Sequence, residues 1–204
     1  MLLKSQKQGS VVSTNSKSPP QFWFIAGPNG AGKSTWAELP ENREMIGNIP
    51  ILNPDHFVAP YATSPVSSVR AGKYVLEEIN NLVAARKSFA VETTLSGSHY
   101  FRLAKKLKEK GWEIVAVFIG VKDEEVCIAR VRERKRSGGH DVPLEDIVRR
   151  YQRSISHIPT LLTIATYMVV LDNSQNYVQL LEYYEGQRLI SKDLPLWLSS
   201  VLAL

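Results

Sequence analysis

The chain has 204 residues, of which 44% are hydrophobic and 22% charged. These values are typical of a folded domain and exclude a collagen-like or low-complexity chain. The net charge of +5 suits a phosphorylated ligand, although it would equally suit loose attraction to any polyanion.

The single cysteine, Cys127, excludes an intramolecular disulfide and indicates a reducing compartment. We expect it to be a buried, inert thiol. No stretch has the apolar length of a membrane span, and the N-terminus lacks the apolar core of a signal peptide. We therefore expect a cytoplasmic protein with a flexible tail over 1–20 and one domain over 21–204.

Residues 27–34 match the phosphate-loop (P-loop) pattern G-x-x-x-x-G-K-[ST] at every fixed position. The apolar run 22–26 before them predicts a buried strand, and 34–39 after them predicts a first helical segment that ends near Pro40. In this context the glycines let successive N–H groups point inward, and the helix start adds partial positive charge. Lys33 is expected to reach the β- and γ-phosphates of ATP, and the Ser34 hydroxyl to ligate Mg²⁺. The residues predicted to contact ATP are Gly27, Pro28, Asn29, Gly30, Ala31, Gly32, Lys33, Ser34 and Thr35.

Two acidic residues follow predicted strands, Asp55 after 51–52 and Glu92 after 88–91. In open parallel sheets, ligands bind beyond the carboxyl ends of the strands, so both carboxylates are expected on the P-loop's edge of the sheet. Asp55 would accept the proton of an acceptor hydroxyl, unless it only caps a turn. Glu92 would orient Mg²⁺ or hold a substrate hydroxyl, with Thr93 and Thr94 offering hydroxyl groups beside it.

The rest of the pattern alternates helices and apolar strands, which predicts an α/β fold with a mostly parallel five-stranded sheet. Two further strands, 113–119 and 167–171, complete the predicted sheet, and 177–190 is expected to form a terminal strand or hairpin. The predicted helices are 67–87, 99–110, 124–136, 144–158 and 194–204.

Seven of the chain's twelve arginines lie within 130–153, on two predicted helices around the glycine-containing loop 137–143. Guanidinium groups on a helical lid, about 124–158, could clamp a transferring phosphoryl group and exclude water. Solvated helix faces are one alternative. Nucleic-acid binding is another, but aromatic residues for base stacking are scarce here, so no nucleic-acid partner is expected.

The P-loop and four other stretches together resemble the zeta toxin family: 53–55 (Asn-Pro-Asp), 89–96 (Phe-Ala-Val-Glu-Thr-Thr-Leu-Ser), 132–143 and 147–151. The resemblance implies a three-layer, kinase-like fold with strand order 2-3-1-4-5. It also implies an enzyme that uses ATP and Mg²⁺ to phosphorylate a UDP-amino sugar, chiefly UDP-N-acetylglucosamine, at the sugar 3′-hydroxyl. A small antitoxin protein is the partner that it implies.

Motif by motif, the resemblance makes Lys33 the phosphate-binding lysine and Asp55 the general base, and it assigns Glu92 to holding the substrate. Two alternatives to the implied function remain, a kinase for another small metabolite or nucleotide, and an ATP-dependent switch that binds a partner. The lid arginines expected to contact phosphate are Arg134 and Arg150, with Arg132 and Arg149 as further candidates.

Overall fold

Seven strands form one sheet through the centre of the computed structural model, which describes residues 18–53, 65–139, 141–191 and 193–202. The predicted tail therefore falls almost wholly outside the described residues. The strands are β1 (Gln21–Ala26), β2 (Ile51–Leu52), β3 (Phe89–Thr93), β4 (Glu113–Gly120), β5 (Tyr167–Asp172), β6 (Val178–Tyr184) and β7 (Gln187–Ile190).

The strand order is β2-β3-β1-β4-β5-β6-β7. The first five strands pair in parallel, which confirms the predicted order 2-3-1-4-5. The predicted number of five strands is too small. The hairpin expected at 177–190 forms, but β6 also pairs antiparallel with β5 and so extends the sheet by two strands. Burial of Leu180 and Leu181 on β6 explains why the hairpin stays with the sheet.

Helices pack against this sheet and give the predicted α/β class. The longest helix spans 65–84 and corresponds to the helix predicted at 67–87. In the part of the chain that the structure describes, no helix has the length and apolar character of a membrane span. The helices are α1 (Lys33–Glu38), α2 (Pro40–Ile46), α3 (Pro65–Ala84), α4 (His99–Glu109), α5 (Glu124–Arg136), α6 (Leu144–Ser156), α7 (Ile158–Ile164) and α8 (Leu196–Leu202).

Prolines lie in the first turn of two helices that were not predicted from the sequence, α2 and α7. Pro40 ends α1 as expected, but it also begins α2, which was not predicted. The helix expected over 144–158 ends at Ser156, and a separate helix, α7, starts with Pro159 in its first turn. Proline has no N–H to donate and a φ angle already suited to a helix, so it fits the first turn, where N–H groups have no partner within the helix.

The core lies on both faces of the central strands. Phe22 on β1 stacks on Phe89 of β3 with ring centroids 4.8 Å apart, and residues 114–120 of β4 are buried. Strands covered on both faces read as continuous apolar runs, which is why their positions could be predicted closely. Because these strands are parallel, their carboxyl ends meet at one edge of the sheet.

Candidate active site

A cleft of about 800 Å³ opens at the carboxyl ends of β1 and β3. The P-loop forms its floor, and the lid helices α5 and α6 supply arginines to its wall. The predicted site residues that line it are Asn29, Gly30, Gly32, Lys33, Ser34, Thr35, Glu92, Thr93, Thr94, Arg134 and Arg150. The structure thus brings together the phosphate loop, the end of β3 and the lid. Asp55 lies outside the described residues, so its role as the base stays a prediction.

The P-loop has the backbone that its sequence predicts. Gly27 has a φ of +143°, and a Cβ atom there would lie 2.0 Å from the carbonyl oxygen of Ile119, so only glycine fits. Lys33 is the first residue of α1, and its side chain is buried. Its Nζ donates a hydrogen bond to the Pro28 carbonyl oxygen at 2.9 Å, which folds the side chain back over the loop. The side chain of Lys33 therefore lies over the loop and lines the cleft.

The hydroxyl of Ser34 donates a hydrogen bond to Oε1 of Glu92 at 2.8 Å. Glu92 is only 8% exposed, so this carboxylate is held in a fixed place at the cleft floor. Hydroxyl and carboxylate oxygens are ligands that Mg²⁺ accepts, directly or through water. The described residues contain no group of three or more His, Cys, Asp or Glu side chains placed to hold a metal.

The turn after β3 is strained. Leu95 is 1% exposed and has a φ of +56°, which is uncommon for a residue with a branched side chain. Two bonds hold it: its N–H donates to Oγ1 of Thr93 at 3.0 Å, and its carbonyl lies 2.7 Å from Nδ1 of His157. Because a carbonyl only accepts, Nδ1 of His157 must carry the proton. His157 lies at the joint between α6 and α7, so the end of a lid helix fixes the turn that carries Thr93 and Thr94.

Arg134 lies in the last turn of α5 and Arg150 in α6, and both line the cleft. Arg150 also pairs with Asp146, with Nη2 and Oδ2 3.2 Å apart. Among the described residues that line the cleft, the alternative candidates Arg132 and Arg149 do not occur. Arg149 instead pairs with Asp146 on an exposed face of α6.

Sequence reasoning did not assign Tyr100, Arg130 or Tyr177 to the site, yet all three line the cleft together with Asn53 and Asn173. Arg130 was only one of seven clustered arginines. Tyr177 precedes β6 and reaches the site only because the hairpin joins the sheet. The spacing of neighbouring residues in the sequence contains no signal for a contact between such distant parts of the chain.

Cys127 lies under the P-loop and is fully buried, as predicted. Burial raises the pKa of its thiol to about 12, more than offsetting the nearby positive charges of Lys33 and Arg130, which lower it. A thiol that stays protonated at neutral pH is a poor nucleophile. Cys127 is therefore a packing residue beside the site.

The model of the Zeta toxin family matches residues 6–181. The chain belongs to the zeta toxin family. A protein of Haemophilus influenzae, described only as uncharacterized, is 29% identical over 128 residues, which are 62% of this chain and 88% of that protein.

Solved structures show the same fold. The crystal structure of AvrRxo1-ORF1:-ORF2 with ATP superposes with a TM-score of 0.68 at 16% identity, over 85% of this chain and 61% of that one. This chain thus spans about three fifths of that protein's length. A structure of the toxin–antitoxin system PezAT of Streptococcus pneumoniae superposes with a TM-score of 0.57 at 22% identity, over 81% of this chain and 73% of that one. Family and fold together support the enzyme class expected from the sequence, an ATP-dependent phosphotransferase.

Proposed function

We propose that this protein is a Mg²⁺-dependent small-molecule kinase that transfers the γ-phosphoryl group of ATP to a sugar hydroxyl of a UDP-amino sugar, such as UDP-N-acetylglucosamine. The observation that carries the proposal is the contact between Ser34 and Glu92. It joins the P-loop to the end of β3 inside one cleft, so a nucleotide on the first and an acceptor on the second would lie side by side.

The triphosphate would lie along the inward N–H groups of the P-loop, with Lys33 at the β- and γ-phosphates. Ser34 would ligate Mg²⁺ and Glu92 would hold one of its waters, and the ion would neutralise charge on the phosphate oxygens. The structure of AvrRxo1-ORF1:-ORF2 with ATP supports a nucleotide in this fold.

The acceptor would lie against Glu92, Thr93 and Thr94. Asp55 would take the proton of the acceptor hydroxyl as its oxygen forms a bond to the γ-phosphorus. The bond from that phosphorus to the β,γ-bridging oxygen breaks, and ADP leaves with the electron pair. Arg134 and Arg150 would contact the phosphoryl oxygens, stabilise their charge during transfer and exclude water when the lid closes.

We further propose a small antitoxin protein as a partner. The support is family membership together with the neighbours AvrRxo1-ORF1:-ORF2 and PezAT, both of which are complexes or systems of two proteins. The partner does not depend on the identity of the acceptor.

The kinase proposal is tested by incubating the protein with labelled ATP, Mg²⁺ and UDP-N-acetylglucosamine, beside the variant Asp55→Asn. We expect labelled phospho-UDP-N-acetylglucosamine from the wild type and almost none from the variant. Labelling of a different metabolite or a nucleotide in a panel of acceptors would replace the substrate but keep the reaction. Tight ATP binding with no labelled acceptor would favour the alternative in which ATP drives a switch that binds a partner.

A further inference from the structure

Side chains from outside the P-loop hydrogen-bond to its backbone carbonyls. Nδ2 of Asn173 donates to the carbonyl oxygen of Ala31 at 2.9 Å. The hydroxyl of Tyr177 donates to the carbonyl oxygen of Gly32 at 2.7 Å, and this oxygen also accepts the N–H of Trp36 in α1 at 2.9 Å. Both donors lie in the connection between β5 and β6, more than 140 residues from the loop. Two adjacent loop carbonyls are therefore held by side chains of the β5–β6 connection.

Arg130 of the lid helix α5 braces this arrangement. Its Nη2 donates to the carbonyl oxygens of Asn173 at 2.8 Å and Ser174 at 3.3 Å. Its Nη1 makes a longer bond, 3.4 Å, to the carbonyl of Gly30. The guanidinium group thus links the lid helix, the β5–β6 connection and the loop.

The loop lies directly against these donors. A Cβ atom on Gly32, whose φ is +92°, would lie 2.5 Å from Nδ2 of Asn173 and 2.8 Å from the hydroxyl of Tyr177. A side chain at that position would displace these two donors and would also be strained by the positive φ. Asn173 itself is only 9% exposed, so its amide is fixed rather than free to follow a moving loop.

A P-loop binds phosphate through inward N–H groups, and its carbonyls must then point outward. A buried carbonyl without a donor is unfavourable, and one that turned inward would repel the phosphate oxygens. Outward donors therefore stabilise the peptide orientation that phosphate needs, before any nucleotide arrives. Pre-organisation of this kind lowers the cost of binding.

We propose that Tyr177, Asn173 and Arg130 are positioning residues that hold the P-loop in its phosphate-binding conformation from its carbonyl side. We name these three residues the carbonyl clamp. The inference rests on the proposed nucleotide site but not on the identity of the acceptor. The clamp would act on the loop alone, so it would favour any ligand with a polyphosphate, whatever base that ligand carries.

The test compares Tyr177→Phe with Tyr184→Phe, a matched change on an exposed tyrosine of the same hairpin. Calorimetry measures the affinity of each protein for Mg²⁺–ATP and for inorganic tripolyphosphate, which lacks a base. We expect Tyr177→Phe to weaken the binding of both ligands by the same factor, about threefold to tenfold, because the Gly32 carbonyl loses one of its two hydrogen bonds. Tyr184→Phe should leave both affinities at the wild-type value.

Hydrogen exchange without ligand gives a second measurement. The amides of residues 28–34 should exchange faster in Tyr177→Phe than in wild type. In Tyr184→Phe they should exchange at the wild-type rate.

Unchanged exchange and affinity in Tyr177→Phe would overturn the inference. So would a loss confined to ATP, since that would make Tyr177 a contact of the base. If wild-type protein binds neither ligand, the proposed function itself fails and this inference with it. If wild type binds ATP and Tyr177→Phe binds it equally well, only the inference fails.

Discussion

The hydroxyl of Ser34 lies 2.8 Å from Oε1 of Glu92, although 58 positions separate the two residues. Parallel pairing of β1 with β3, which sets Ile25 opposite Glu92, brings them together. The P-loop follows the end of β1, and the predicted acceptor side follows the end of β3. One strand pair therefore sets the distance between the P-loop and the side of the cleft proposed to bind the acceptor.

Replacing Glu92 should raise the Mg²⁺ concentration that the transfer reaction needs. Glu92→Gln keeps the shape of the side chain but removes the charge that would hold a metal-bound water. We expect the concentration of Mg²⁺ needed for half-maximal transfer to rise by about tenfold, in line with losses at residues that support metal ligands. Titrating activity with Mg²⁺ at saturating ATP measures this. The control is Glu109→Gln on the exposed end of α4, and an unchanged Mg²⁺ requirement in Glu92→Gln would contradict the metal role.

The lid arginines should affect transfer more than folding. Because Arg134 and Arg150 line the cleft, Arg134→Ala or Arg150→Ala should lower the rate of transfer by about a hundredfold, as when one group that stabilises transition-state charge is removed. The midpoint of thermal unfolding should stay close to that of the wild type. Arg136→Ala is the control, because the Arg136 side chain is 79% exposed and pairs with Glu133. Equal transfer rates in all three variants would exclude contact of Arg134 and Arg150 with the transferring phosphoryl group.

The bond from His157 to the strained Leu95 should contribute to stability. His157→Phe keeps the ring that packs edge-on against Phe101 but loses the donor, so we expect a lower free energy of unfolding, by about 1–3 kcal/mol for a carbonyl left unpaired. His157→Asn places an amide N–H near the position of Nδ1 and should restore part of the loss. Urea denaturation measures both variants. Equal stability of His157→Phe and wild type would show that Leu95 does not need the bond.

Cys127 should resist alkylation in the folded protein. With its pKa raised by burial to about 12, almost no thiolate is present at pH 8, whereas the unfolded chain has an ordinary thiol. Above the ordinary pKa near 9 the unfolded state loses a proton that the folded state keeps, so stability falls as pH rises toward 12. A thiol reagent with and without urea measures the first effect. Denaturation of wild type and Cys127→Ala at pH 8 and 10 measures the second, and the fall should be smaller in the variant.

Local sequence predicts those parts of this site that depend on local backbone geometry. The P-loop could be predicted because glycine spacing alone selects its conformation, and the parallel strands because apolar runs mark burial on both faces. Tyr177 could not be predicted, since its contact with Gly32 depends on a hairpin joining the far edge of the sheet. The helix that begins at Pro40 was missed for a different reason, because the same residue that stops one helix also fits the first turn of the next.

Calorimetric titration with Mg²⁺–ATP tests most directly that the cleft is a nucleotide site built on the P-loop. We expect wild-type protein to bind one ATP, and Lys33→Ala to bind at least about a hundredfold more weakly, because a buried charge at the phosphates is lost. Lys122→Ala, which changes a lysine whose side chain is 65% exposed, should bind like wild type. Equal affinity of Lys33→Ala and wild type, or no binding by the wild type, would contradict the assignment of this cleft to ATP.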